Sequence, residues 1–159
     1  MKYIAELSKF RAKIWRLGTD ILAFMLLPVI SFALSNIGYK RVSWLLVKSS
    51  PSPIKRSDTQ WEHQRARAIA KRINRIAEHG IIKASCLERS LLLWWLLRFQ
   101  RISTELQIGV QINENGKLIG HAWLERDGVV VNDKPNVGDY YSKYPAHMIG
   151  PESIVKIWS

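Results

Sequence analysis

The chain has 159 residues, of which 47% are apolar and 23% are charged, so it has the size and composition of one folded globular domain. Its single cysteine, Cys86, excludes an internal disulfide framework, and no cysteine and histidine residues have the spacing of a structural zinc site. The net charge of +11 comes mainly from the first two thirds of the chain and favours an acidic peptide, a nucleic acid or an anionic lipid as a partner, without choosing among them.

Residues 1–50 are predicted to form an apolar, basic helical subdomain. They contain an uncharged run at 21–37 with basic residues on both sides. This run is short for a membrane-spanning helix, which needs about 20 residues, and Pro28 lies within it. A membrane span and a secretory signal, with a cleavage site at 33–35, are the alternatives. We expect a folded subdomain, for which a membrane surface is a candidate contact.

A linker rich in serine and proline is predicted at 51–57, followed by a second domain at 58–159. A helix then begins near Thr59, which has capping-box spacing with Glu62, and ends at Gly80. Its apolar residues fall in one stripe, and most of its basic residues lie outside that stripe. The basic face is interpreted as a solvated surface, with docking of an acidic segment as the alternative.

A third helix is predicted from the capping-box pair Ser85 and Glu88, because the residues that follow are apolar on almost every face. Such a helix is normally the buried centre of a domain. Cys86 would occupy its first position, where free N–H groups and the positive end of the helix dipole stabilise a thiolate. A lone cysteine is usually a small core residue, but this position suits a nucleophile.

After residue 101 the apolar residues alternate, which predicts an antiparallel meander and therefore an α+β fold. Asn115 and Gly116 are predicted to form a two-residue hairpin loop between the first two strands. In that register Val110 lies opposite His121, and Ile108 lies opposite Trp123. His121 would then share the side of the sheet that faces the helices.

The loop between the second and third strands determines where Asp133 lies. A three-residue loop with Gly128 at positive φ would pair Glu125 with Val129 and place Asp133 opposite His121. A two-residue loop would instead send Asp133 to the other face of the sheet. We predict the three-residue loop, with the His121 and Asp133 side chains within hydrogen-bonding reach.

Together these residues predict a catalytic triad. Cys86 would be the nucleophile, His121 its general base and Asp133 the group that orients the imidazole. A histidine on a core face is more often structural, so the pairing with Asp133 is what favours catalysis. Asp127 and Asp139 have weaker claims because they lie in loops. The remaining histidines have no comparable setting; they are His63, His79 and His147.

Four segments resemble the transglutaminase-like B proteins of lasso peptide biosynthesis. They are CLERSL at 86–91, IGV at 108–110, HAWLE at 121–125 and VND at 131–133. The resemblance covers about residues 58–135 and implies a transglutaminase or papain-like core, in which a buried helix carries the cysteine against an antiparallel sheet. The chain departs from the family at 100–102, where a glycine is common after the cysteine helix.

The same resemblance implies a function. It implies a cysteine peptidase that removes the leader peptide from a ribosomally made lasso precursor before an ATP-dependent cyclase forms the macrolactam. The precursor, a separate leader-recognition protein and that cyclase are the implied partners. We expect no cofactor, no metal and no nucleic acid, and a cytoplasmic location with membrane association through residues 1–50 as a further candidate.

The oxyanion donors and the reaction class are less constrained. The backbone N–H of Cys86 is predicted to be one donor, and Gln60 and Gln64 are candidates for the second. Two other functions remain open: an acyltransferase with the same triad, and a non-catalytic protein that binds membranes or nucleic acid.

Overall fold

The computed structural model describes residues 2–54, 59–79 and 83–144 of the chain. In these ranges one antiparallel sheet, in the order β3-β2-β1-β4, lies beside a group of long helices. The elements are α1 (Lys2–Lys48), α2 (Thr59–His79), α3 (Cys86–Phe99), β1 (Glu105–Ile112), β2 (Leu118–Arg126), β3 (Val129–Val130), α4 (Val137–Tyr140) and β4 (Ser142–Tyr144).

Some predicted features lie outside the described residues. These are the end of the linker at 55–57, the start of the second domain at Asp58, the helix end at Gly80, and His147. The capping of Thr59 also falls there, since the side chain of Thr59 is not described. Glu62, its predicted capping partner, is fully buried and forms an ion pair with Arg126 of β2.

The core of the protein is built around α3, as the sequence predicts. Leu91, Leu92 and Leu97 have no exposed surface. The same core takes the apolar stripe of α2, the inner side of α1 and one face of the sheet, which contributes Ile108 and Ala122 among others. Because α1, α2 and the sheet all pack against α3, most of its circumference can be apolar.

The helix α1 is longer than the predicted apolar run and changes direction once. Gly38 has φ 75° and ψ 165°, values outside the helical region, and separates two helical segments. Pro28 lies inside the first segment. Buried residues from both segments, including Leu27 and Val42, belong to the same core as α2 and α3. The predicted division into two domains at 51–57 remains a prediction.

The turn after α3, at 100–102, contains an arginine in the left-handed conformation. Arg101 has φ 62°, and its N–H donates to the Arg98 carbonyl. The N–H of Ile102 donates to the Leu97 carbonyl, and Ile102 is fully buried. These two bonds form a Schellman motif, which needs a left-handed residue at the Arg101 position. This chain therefore forms with an arginine a turn for which glycine is the usual residue.

The first hairpin loop is longer than predicted. The N–H of Asn113 donates to the Lys117 carbonyl at 2.9 Å, which closes a three-residue loop with Gly116 at φ 72°. The Asn113 side-chain oxygen also accepts from the N–H groups of Asn115 and Lys117. The odd loop length shifts the register by one residue.

This shift makes the predicted pairings of β1 with β2 wrong. Gly109, rather than Val110, lies opposite His121, and Ile108 lies opposite Ala122. Ala122 therefore faces the helices, and His121 lies on the other face of the sheet. The expectation that His121 shares the helix-facing side is also wrong.

The second hairpin loop is shorter than predicted. Asp127 and Gly128 form a two-residue loop with φ values of 50° and 76°, as a type I′ turn requires. Glu125 consequently pairs with Val130 rather than Val129, and Arg126 pairs with Val129. The predicted three-residue register is wrong, although the positive φ of Gly128 is confirmed.

Candidate active site

The histidine and the aspartate of the predicted triad are in contact, although the registers predicted for both hairpins are wrong. His121 Nε2 lies 2.7 Å from Asp133 Oδ2. A regular third strand would carry Asp133 to the wrong face, but β3 ends at Val130 and the chain bends at 131–133. The bend redirects the carboxylate toward the imidazole, so the predicted contact forms by a different route.

Asn132 produces this bend by replacing a strand bond with a side chain. Its Oδ1 accepts from the Leu124 N–H at 2.7 Å, where a regular ladder would offer a backbone carbonyl. Its Nδ2 donates to Ser90 Oγ at 2.9 Å, and Ser90 donates to the Ala122 carbonyl at 3.0 Å. The network ties α3 to β2 and to the residue next to Asp133.

Cys86 is positioned by the start of α3. The predicted capping box is present: Ser85 Oγ accepts from the Glu88 N–H at 3.3 Å, and a Glu88 carboxylate oxygen accepts from the Ser85 N–H at 2.6 Å. Cys86 follows the cap as the first helical residue and is half-buried. Its backbone N–H is one of those that an α-helix leaves without an internal partner.

The electrostatics of the site favour a charged imidazole. Burial disfavours the imidazolium, but hydrogen bonds to Asp133 and Cys86, together with their negative charges, outweigh it and raise the pKa of His121 to about 9. Because Nε2 is bonded to Asp133, Nδ1 is the nitrogen left for the Cys86 sulfur. At neutral pH the site therefore holds a protonated imidazole between a carboxylate and a sulfur atom.

The carboxylate of Asp133 stays ionised for related reasons. Burial opposes its charge, but the hydrogen bonds with His121 and from the Lys134 N–H hold the pKa of Asp133 below its usual value. The Lys134 N–H donates to the second oxygen, Oδ1, at 2.7 Å. Both oxygens are thus held, which fixes the plane of the carboxylate that orients His121.

Aromatic rings cover the imidazole on the face of the sheet away from the helices. Tyr141 stacks on His121 with ring centroids 4.8 Å apart and an angle of 24° between the planes. Trp123, which is fully buried, lies 6.0 Å from His121 at a similar angle. Burial and the negative charges of Cys86 and Asp133 raise the pKa of Tyr141.

Gly109 makes this stack sterically possible. A Cβ atom at Gly109 would lie 2.6 Å from Tyr141 Cβ and 2.9 Å from the Trp123 ring. Such distances are too short for non-bonded carbon atoms. The absence of a side chain at the residue opposite His121 therefore allows Tyr141 to approach the imidazole.

A cleft of about 490 Å³ opens beside Cys86 and Asp133. Its other lining residues are Asn74, Glu78, Arg89, Ala122, Asn132 and Lys134. A neighbouring groove of about 560 Å³ shares Asn74 and Asp133 and continues along α2 past Arg67, Lys71 and Arg75. Part of the basic face of α2 therefore borders the site.

Other predicted candidates lie elsewhere. Gln60 and Gln64 line a separate depression with His63. Gln64 precedes Asn74 by ten residues on α2, which is about 15 Å along the helix, so neither glutamine suits an oxyanion at Cys86. Within the described residues, no group of three or more histidine, cysteine, aspartate or glutamate side chains could hold a metal ion.

Sequence reasoning missed Asn132, Ser90 and Tyr141 as parts of this site. Ser90 is the polar exception in a buried leucine-rich helix, and Asn132 stands beside Asp133 in the VND segment, so both carried a signal. Tyr141 carried none, because its segment has no clear periodicity.

A family model described as "Transglutaminase-like superfamily" matches residues 30–145, which include Cys86, His121 and Asp133. The chain is 28% identical over 122 residues to the microcin J25-processing protein McjB of Escherichia coli. The match covers 75% of this chain and 55% of McjB, so the chain spans about half the length of that relative. No solved structure matches significantly.

These findings bear on two predictions from the sequence. The α+β fold with a transglutaminase-like core is confirmed by the family model and by the helix-and-sheet architecture. The resemblance to the B proteins of lasso peptide biosynthesis is confirmed by the family model together with the match to McjB.

Proposed function

Because the chain belongs to the transglutaminase-like superfamily, we propose that it is a cysteine peptidase that removes the leader peptide from a lasso peptide precursor. The observation that supports this most strongly is the 2.7 Å contact between His121 and Asp133 beside a cysteine that begins a buried helix. The similarity to a protein named for processing microcin J25 supports a peptide precursor as the substrate.

The reaction begins from an ion pair of the Cys86 thiolate and the His121 imidazolium. The thiolate attacks the scissile carbonyl carbon and forms a tetrahedral intermediate. His121 then gives its proton to the leaving amine of the core peptide, and a thioester between the leader and Cys86 remains. Asp133 accepts a hydrogen bond from Nε2 throughout, so it orients the ring and stabilises its positive charge.

The second half of the reaction consumes one water molecule. Neutral His121 takes a proton from this water, whose oxygen attacks the thioester carbonyl. Collapse of the intermediate expels the Cys86 thiolate and leaves the leader with a free carboxylate. The products are a leader acid and a core peptide with a free amine, which is the group that a cyclase needs to form a macrolactam.

In the proposed mechanism the oxyanion of both intermediates lies at the start of α3. The Cys86 N–H is the first donor, because it has no partner inside the helix and lies at the positive end of the helix dipole. Asn74 replaces Gln60 and Gln64 as the candidate for the second. It lines the same cleft as Cys86, and its Nδ2 gives one of its two hydrogens to the Asn132 carbonyl.

Product analysis tests the proposal directly. The protein is incubated with a lasso precursor in water labelled with oxygen-18, and the products are weighed. We expect a leader peptide whose new carboxylate carries the label and an unlabelled core peptide. Added amines that capture the leader in place of water would support the alternative, an acyltransferase with the same triad.

The matched control is Cys86→Ala, which removes the nucleophile from a half-buried position and leaves the capping box intact. This variant should fold and should give no products above background. Cleavage by Cys86→Ala at the wild-type rate would contradict the proposed peptidase, because Cys86 is the single thiol of the chain.

A further inference from the structure

The helix α1 presents a continuous apolar face to solvent. Apart from one adjacent pair, its outward residues follow one another at intervals of three and four, as one side of a helix requires. They are Leu17, Ile21, Phe24, Met25, Val29 and Phe32, and each is about half exposed or more. Met25 is 64% exposed and Phe32 72%. This face is about 23 Å long at 1.5 Å per residue.

The opposite side of the same helix packs against the rest of the protein. Ala23, Leu27 and Ile30 are buried in the core with α2 and α3. Asp20, the one charged residue of the sequence between 17 and 37, pairs with Arg72 of α2, with Arg72 Nε 2.8 Å from Asp20 Oδ1. A surface helix of a soluble protein normally turns charged residues outward. Here the one charged residue pairs with α2, and the exposed side chains between residues 17 and 32 are all apolar.

Basic residues precede and follow this apolar face along the chain, those that follow it lying beyond Gly38. Lys13 precedes it, and Lys40, Arg41 and Lys48 follow it, all of them exposed. Trp44 is 57% exposed, and Lys48 Nζ lies 4.8 Å above its ring. Residues 1–56 contain ten lysines and arginines against two acidic residues. Lysine, arginine and tryptophan beside an apolar helix face are typical of helices that lie at a lipid headgroup layer.

We propose that α1 binds the surface of an anionic membrane. Its outer face enters the boundary between headgroups and acyl chains, the basic residues at its ends contact lipid phosphates, and the rest of the protein stays on the aqueous side. Residues 13–48 are also long and apolar enough to cross a membrane by length and composition. Crossing would remove Ala23, Leu27 and Ile30 from the core and break the ion pair of Asp20, so the helix lies in the plane of the surface.

Vesicle flotation with two variants of equal exposure tests this proposal. Phe32 and Ile112 are both 72% exposed, but Ile112 ends β1, outside α1. We expect the wild-type protein to float with vesicles that contain phosphatidylglycerol and not with phosphatidylcholine alone. Phe32→Glu should weaken this binding by about tenfold or more, since a phenylalanine side chain that enters the bilayer is replaced by a charge. Ile112→Glu should bind as the wild type does.

A second variant tests the electrostatic part. Replacing both Lys40 and Arg41 by glutamine should weaken binding by about fivefold for each charge, and added salt should weaken wild-type binding in the same direction. Circular dichroism checks that each variant is folded. The proposed membrane contact is independent of the peptidase activity, so a catalytically inactive Cys86→Ala protein should float like the wild type.

Three results would overturn the proposal. In the first, the wild-type protein stays in solution with anionic vesicles. In the second, Phe32→Glu and Ile112→Glu lose vesicle binding equally. In the third, the wild type is a dimer without lipid affinity, and Phe32→Glu converts it to a monomer in analytical ultracentrifugation. That outcome would assign the apolar face to contact between two copies of the chain.

Discussion

Substitution of Gly109 by alanine tests the arrangement of the candidate site through its tightest contact. The new Cβ atom would lie 2.6 Å from Tyr141 Cβ and 2.9 Å from the Trp123 ring. Neither neighbour can move easily, because Trp123 is fully buried and the Tyr141 Cβ is fixed to the backbone next to β4. Overpacking of this kind typically lowers the free energy of unfolding by about 1–3 kcal/mol.

The matched control is Gly138→Ala in α4, where a Cβ atom would meet nothing within 4 Å. That variant should be as stable as the wild type or slightly more stable, since alanine reduces the entropy of the unfolded chain. Thermal unfolding measures both, and a chain of this size loses about 2–4 °C in Tm for each kcal/mol.

Activity measures the second consequence. Displacement of Tyr141 uncovers one face of the His121 ring, so kcat of Gly109→Ala should fall even where the protein is folded. A Gly109→Ala protein with the stability and kcat of Gly138→Ala would refute the register that places Gly109 opposite His121, and with it the stacked arrangement of the two rings.

Three further predictions concern the reaction. Asp133→Asn removes the charge that helps to raise the pKa of His121 to about 9. The decline of kcat/KM at high pH, which is caused by loss of the imidazolium, should therefore begin at lower pH than in the wild type. An unchanged pH profile would contradict the role of Asp133 in stabilising the imidazolium. Lys71→Glu, on the groove that continues from the site along α2, should raise KM for an acidic precursor by about two- to fivefold with kcat unchanged, whereas Lys117→Glu in the β1–β2 loop should leave both constants unchanged. A separate leader-recognition protein should raise the cleavage rate mainly at low precursor concentration, by increasing the effective concentration of the peptide; equal rates with and without it would mean that the chain binds its leader alone.

The sequence was sufficient to predict the helix that carries the cysteine. Ser85 and Glu88 specify the start of α3 through bonds between neighbouring residues, and the apolar residues after them require burial. Local interactions of this kind are encoded within a few residues. The position of Cys86 at the first turn was therefore predictable without tertiary information.

A side chain decided the register of the first hairpin, and another decided the course of the chain after the second hairpin. Asn113 closes the first loop with its own oxygen, and Asn132 replaces a backbone carbonyl at the end of β3. Asp127 and Gly128 are a common type I′ pair, yet a regular strand after that turn would have separated Asp133 from His121. The contact between them depends on a bend that follows the turn, and such bends leave no pattern in hydrophobicity.

The position of Tyr141 depended on packing between distant segments. Its ring reaches His121 across a strand that has a glycine at the required place. Glycine in a strand often marks close approach of another group. The sequence alone could indicate such an approach at Gly109 but not which residue would fill the space.

The most direct test of the claim that Cys86 is a covalent nucleophile is to measure the mass of the protein during turnover. Acid quenching of a reaction between the wild-type chain and its precursor should trap a species heavier by the mass of the leader acyl group, with the thioester mapped to Cys86 by peptide fragmentation. If the covalent cysteine mechanism were wrong, the wild type would form products without a detectable adduct, and the Cys86→Ser variant would accumulate no adduct either. An adduct at another residue would contradict the assignment of Cys86 as the nucleophile.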